Sequence, residues 1–192
     1  KEDDGGKIDM KNICIGLFEG ETLPESLAAF KDVKLDLEFG KITTIYTLNQ
    51  LDCEKIVVVG LGDGKKNIKE AFSKVEADDY FVYVNENTAY AAGFGLVYGA
   101  YSYKETKVYD FESDGFTAEF EKGKTVALIV NHAREMSDMP ANFLTPDHLV
   151  DEAKMVSEKY GMEMEVLNPD DLDQLGAGAL LAVNQGSDRP CY

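Results

Sequence analysis

Apolar positions along the chain fall into short β-rich runs separated by stretches with helical spacing. Residues 12–18 (Asn-Ile-Cys-Ile-Gly-Leu-Phe) and 41–48 (Lys-Ile-Thr-Thr-Ile-Tyr-Thr-Leu) are rich in β-branched and aromatic side chains and predict two strands. Residues 55–60 are apolar without alternation, the pattern of a strand buried on both faces. A Gly-rich turn follows, and Ile68, Ala71, Phe72 and Val75 then recur at helical spacing within 67–78. Residues 81–84 predict another short strand. Such alternation of strand and helix predicts an α/β layer fold.

Residues 88–103 are apolar nearly all round, as expected for a buried helix. Its alanines and glycines permit close packing, and Gly93, Gly95 and Gly99 weaken its intrinsic propensity, so tertiary contacts must hold it. The polar stretch 104–123, with its Asp114-Gly115 turn signal, predicts a hairpin or loop. Residues 126–130 are ambiguous. Their propensity favours a strand, yet Val126, Ile129, Val130, Ala133 and Met136 also fit one helical face ending before Pro140.

The last third is clearly punctuated. Thr145-Pro146-Asp147 is a helix start with an N-cap, a proline at the first position and an acid at the positive end of the dipole. Leu149, Ala153, Val156 and Tyr160 share one face of that helix, and Gly161 stops it. Residues 162–166 alternate with period two and predict a half-exposed strand. Asn168-Pro169-Asp170-Asp171 opens a short helix to Leu175, and residues 179–183 predict a final buried strand.

Composition narrows the function classes. With 44% hydrophobic residues the 192-residue chain is long and apolar enough to fold, which excludes wholesale disorder. No apolar run approaches the roughly 18–20 residues of a membrane span. Residues 1–7 are polar with no apolar stretch behind them, so the expected location is cytoplasmic. The formal charge of −17, with Arg134 and Arg189 as the only arginines, opposes nucleic-acid binding. Cys14, Cys53 and Cys191 have no metal or redox spacing and are expected as free thiols.

The candidate chemistry is incomplete. Gly60-Leu61-Gly62-Asp63-Gly64-Lys65-Lys66 follows a strand and precedes a helix, but Lys65 replaces the third glycine of a dinucleotide fingerprint. Val59 and Lys66 likewise break a phosphate loop, which leaves a turn needing positive φ. His148 and Glu152 stand four apart on one helix without a third metal ligand, and His132 reads as a surface residue. Asp78-Asp79 sits at an element boundary, and Asp170-Asp171 caps a helix. Tyr90, Tyr98, Tyr101 and Tyr103 suit packing more than a pocket. No nucleophile elbow occurs.

Residues 133–146 (Ala-Arg-Glu-Met-Ser-Asp-Met-Pro-Ala-Asn-Phe-Leu-Thr-Pro) resemble the segment joining the two domains of leucyl (cytosol) aminopeptidases, which typically reads Ala-Arg-Asp-Leu-Val-Asn-Thr-Pro-Ala-Asn-x-Leu-Thr-Pro. Residues 175–187 (Leu-Gly-Ala-Gly-Ala-Leu-Leu-Ala-Val-Asn-Gln-Gly-Ser) are similar to that family's next block, in which a strand ends in a Gly-Ser turn. Residues 57–62 and the Ala-rich helix leading to Tyr101-Ser102-Tyr103-Lys104 are similar to weaker features of its N-terminal domain. Asp138-Met139 departs from the usual Asn-Thr at a structural junction and removes no catalytic group.

The resemblance implies a macrodomain-like α/β domain with a mixed sheet flanked by helices over residues 1–124. A linker helix and Pro-containing junction over 125–145 would follow, which favours helix at 126–130, and 146–192 would be the truncated first α/β elements of a catalytic domain. It implies a metal-dependent exopeptidase acting on N-terminal residues of peptides, often Leu. Two divalent ions (Mn, Zn or Mg) and a homohexamer would belong to the intact parent. The family's metal-binding Lys, Asp and Glu and its catalytic Lys and Arg lie downstream of the Gln-Gly-Ser turn. No catalytic, cofactor-binding or metal residue therefore carries over, and the chain itself is expected to be non-catalytic, with an assembly role. The alternative is a stand-alone macrodomain-like module for a nucleotide or ADP-ribose, with 60–64 facing the phosphate.

Overall fold

The computed structural model describes residues 11–103 and 107–192. The chain divides into two compact units, Lys1–Arg134 and Glu135–Tyr192. The first is built on a five-stranded mixed sheet in the order β2-β3-β1-β4-β5, with β1 at Asn12–Leu17, β2 at Ile42–Tyr46, β3 at Lys55–Gly60, β4 at Tyr80–Tyr83 and β5 at Phe111–Ser113. Strands β3, β1, β4 and β5 are parallel neighbours, and β2 runs antiparallel on the β3 edge. As its unbroken apolar run predicts, Ile56–Gly60 is buried along its length.

One sheet face carries α1 (Ile68–Phe72), α2 (Ala89–Gly99) and the N-terminal half of α3 (Thr117–Asp138), around a core that includes Val57, Val59, Phe72, Tyr80, Val82 and Phe120. The other face is closed over β1 and β3 by a 3-10 helix, Glu25–Phe30, which buries Leu27 and Phe30 against Ile15, Leu17, Ile56 and Val58. At the amino ends of the strands Asn12 is buried. It donates to the Asp78 carboxylate (3.0 Å) and accepts from the Lys55 amide (3.0 Å), and the Lys55 ammonium reaches the same carboxylate at 3.0 Å.

Helix α2 lies backbone-to-backbone against its neighbours. A Cβ at Gly93 would collide with the Phe120 carbonyl oxygen, and one at Gly123 with that of Tyr90, so the α2–α3 crossing is closed by a glycine on each helix.

The second unit holds α4 (Pro146–Tyr160), α5 (Pro169–Gln174) and α6 (Gly178–Asn184). The caps are those the sequence announces. The Thr145 hydroxyl accepts from the His148 amide, and Gly161 adopts φ +64. Asn168 and Asp171 form a capping box.

Two expectations fail, and a third, the hairpin or loop at 104–123, holds only as loop at 107–110 and 114–116. Residues 179–183, expected as a strand, lie in α6, because Ala-Leu-Leu-Ala are strong helix formers and a five-residue apolar run carries no period of its own. Residues 162–166, also expected as a strand, form no ladder, since Met and Glu have little β preference and no strand lies in that unit to pair with them. Within 104–123 there is no hairpin among the described residues. Instead β5 pairs in parallel with β4, and α3 starts at Thr117; residues 104–106 lie outside the described residues.

Gly123→Ala should destabilise the chain by about 2 kcal/mol in urea unfolding, overpacking outweighing the gain in helix propensity. Gly115→Ala, where a Cβ meets nothing within 4 Å, should leave the midpoint nearly unchanged.

Candidate functional site

The Gly-rich turn after β3 is the most motif-like segment, and the structure accounts for it without a ligand. Gly62 and Gly64 adopt φ +64 and +78, as a turn needing positive φ requires. Four of its amides are committed: Gly60 donates to Lys41, Leu61 to Leu17 and Gly62 to Leu37, each a backbone carbonyl, and Lys65 donates to the Asp63 side chain. The Lys65 ammonium is paired to Asp63 at 2.6 Å. Few donors are left to cradle a phosphate, and α1 is a five-residue helix behind the turn.

The other candidates are dispersed. His148 and Glu152 approach to 3.7 Å on α4, and His132 is exposed on α3. Asp78 and Asp79 tie strands together: Asp78 to Asn12 and Lys55, and Asp79 to the amides of Asn12 through its carbonyl and Asp110 through its carboxylate. Burial opposes ionisation of Asp78, but the Lys55 hydrogen bond prevails and holds its pKa below the usual carboxylate range. Asp171 accepts from the Asn168 amide at 3.0 Å, a structural role. The three cysteines are free thiols. Burial pushes the Cys14 thiol up to about 12, which makes it inert. Among the described residues no three His, Cys, Asp or Glu side chains gather as a metal-ligand set. The described residues therefore do not fit a two-metal centre.

The tyrosines form a stacked ladder. Tyr90, Phe94 and Tyr98 lie one turn apart on α2, with centroids 6.4 and 5.6 Å apart, and the Lys69 ammonium lies 4.8 Å from the Phe94 ring. Arg134 sits against Tyr98 (4.1 Å) and Tyr101 (4.3 Å) and donates to the Tyr98 carbonyl (2.8 Å) and the Asn131 carboxamide oxygen (2.9 Å). This is packing, and it anchors α3 to the end of α2.

A feature absent from the motifs appears at the carboxyl ends of the parallel strands. The chain leaves β1 towards the 3-10 helix on one sheet face, and leaves the adjacent β4 towards α2 on the other. Between the diverging connections lies a crevice of about 470 Å³, lined by Leu17, Glu21, Tyr83, Asn85, Thr88 and Asp114 among others. Its residues come from three separate loops, so no local sequence signal marks it.

The comparisons with known proteins reach over most of the chain, the family match over its C-terminal part. Residues 131–192 match the cytosol aminopeptidase family, catalytic domain. A probable cytosol aminopeptidase of Exiguobacterium sibiricum is 41% identical over 107 residues, covering 52% of this chain and 22% of that protein. One of Aromatoleum aromaticum is 24% identical over 96% of this chain and 47% of its own length. The chain is thus similar to cytosol aminopeptidases, and residues 131–192 match their catalytic-domain family. It spans less than half the length of these relatives.

Among solved structures, the bottromycin maturation enzyme BotP superposes with a TM-score of 0.71 at 19% identity, covering 94% of this chain and 44% of that one. The cytosol aminopeptidase of Coxiella burnetii gives 0.59 at 17% identity, over 84% and 39%. At these identities the likeness is one of fold. No helix among the described residues is long and apolar enough to cross a membrane.

Arg134, inside the segment that resembles the family's inter-domain junction, holds a helix junction in this chain. Arg134→Lys should cost about 1–2 kcal/mol in urea unfolding, because a compact ammonium cannot lie flat on two rings while keeping both hydrogen bonds.

Proposed function

We propose that this chain is the front part of a metal-dependent leucyl aminopeptidase. On this reading residues 1–124 are a macrodomain-like N-terminal domain, 125–145 a connecting helix and junction, and 146–192 the first elements of the catalytic domain. The observation that carries it is the match of residues 131–192 to the family's catalytic domain. The parent hydrolyses N-terminal residues, often Leu, from peptides in the cytoplasm and assembles as a hexamer, with neither nucleic acid nor membrane as partner.

Two divalent ions, Mn, Zn or Mg, supply an activated water and a polarised carbonyl when bound. BotP has been solved in complex with Mn, in keeping with divalent metal use. On this reading the chain's own contribution is structural. It supplies the sheet domain and the capped helices on which later elements pack. The committed amides of Gly60, Leu61, Gly62 and Lys65 speak against the nucleotide-module alternative.

The test is a chimaera in which residues 1–187 are fused to the remainder of the Exiguobacterium sibiricum relative. The chain alone should not hydrolyse leucine p-nitroanilide with Mn²⁺, whereas the chimaera should. Hydrolysis by the chain alone would overturn the structural role, and a folded but inert chimaera would overturn the peptidase reading.

A further inference from the structure

The crevice between β1 and β4 is formed where two adjacent parallel strands send their connections to opposite faces of the sheet. That is the place in open α/β sheets where ligands bind, because the diverging loops leave a gap at the strand ends that neither layer fills. Here the gap has an apolar floor of Ile15, Leu17 and Pro24, and Tyr83 and Val84 beside it.

Its charged groups are of one sign, beside the neutral side chains of Thr22, Asn85 and Thr88. Glu21 and Asp114 stand at its rim, and neither lysine nor arginine lines it. Each carboxylate is held by a loop amide: Phe18 donates to Oε2 of Glu21 at 2.8 Å, and Val84 donates to Oδ1 of Asp114 at 2.9 Å. Those bonds fix both side chains in place and use one oxygen of each. The second oxygen makes no hydrogen bond or ion pair to another described residue. A ligand entering this gap therefore meets two positioned anionic acceptors above an apolar floor, within a chain of charge −17. Phosphates and carboxylates are repelled by this set, and a donor with positive charge is attracted.

We infer that the crevice binds a small organic ammonium ion with an apolar body, the ammonium at Glu21 and Asp114 and the body over Ile15, Leu17 and Pro24. The site lies wholly within the first unit and does not depend on the peptidase reading.

Three probes with the same body and different charge test it on the 192-residue chain by amide NMR: phenethylamine, 2-phenylethanol and phenylacetate. Phenethylamine at millimolar concentration should shift resonances of residues 20–24, 83–88 and 114. 2-Phenylethanol should bind about tenfold more weakly, and phenylacetate should shift none of them. In the Glu21→Gln, Asp114→Asn double variant the carboxamide oxygens still accept from Phe18 and Val84, so the loops are kept while the charge is lost. There the amine should bind no better than the alcohol. Equal binding of amine and alcohol to the unaltered chain, shifts mapping elsewhere, or no shifts with the amine would overturn the proposal. The probe ranking on the unaltered chain decides the matter even where the double variant folds poorly.

Discussion

The first unit depends on α2 being able to touch its neighbours with its backbone. At the α2–α3 crossing, Gly93 faces Phe120 and Gly123 faces Tyr90, and each leaves room only for hydrogen. On the α1 side a Cβ at Gly95 would reach the Lys69 carbonyl oxygen at 2.6 Å. Glycine in a helix costs propensity, so this arrangement persists because close approach buries Leu96, Ala92, Phe72 and Phe120 over one sheet face. The start of α2 is also one wall of the β1–β4 crevice, and its end presents Tyr98 to Arg134. Displacing α2 would disturb core, crevice and junction together.

Much of this was legible because it is written locally. The unbroken apolar run of 56–60 announced a strand buried on both faces, and Thr145-Pro146 with Gly161 announced both ends of α4. The ambiguous stretch 126–130 resolves as helix, as the family resemblance suggested against local propensity. Residues 179–183 and 162–166 misled for opposite reasons. The first had apolar character without period, and the second had a period of two in residues that prefer helix, with no partner strand.

What stayed hidden is set by topology. Strand β5 is three residues, Phe-Glu-Ser, and exists through its parallel pairing with β4. Glu21 carries no signal in sequence and Asp114 only that of a turn, and the sheet brings their loops to one gap. Conversely, the segment most like a motif, 60–66, is a turn in which the amides of Gly60, Leu61, Gly62 and Lys65 are spent on the backbone and on Asp63.

The two units differ in how far they are finished. The first has a continuous core on each sheet face, whereas α4 buries none of its residues and leaves Leu149, Val156 and Tyr160 exposed along its apolar stripe. Leu175 and Val183 are 69% and 84% exposed. Such helices, short and without a covered face, gain little from packing. That asymmetry is the difference between a sheet unit with its own core and a helical unit with almost none. Hydrogen exchange at low protein concentration tests it directly. Amides of β1, β3, β4 and α2 should exchange at least about a hundredfold more slowly than those of α4, α5 and α6. Equal protection across the two units would contradict the account.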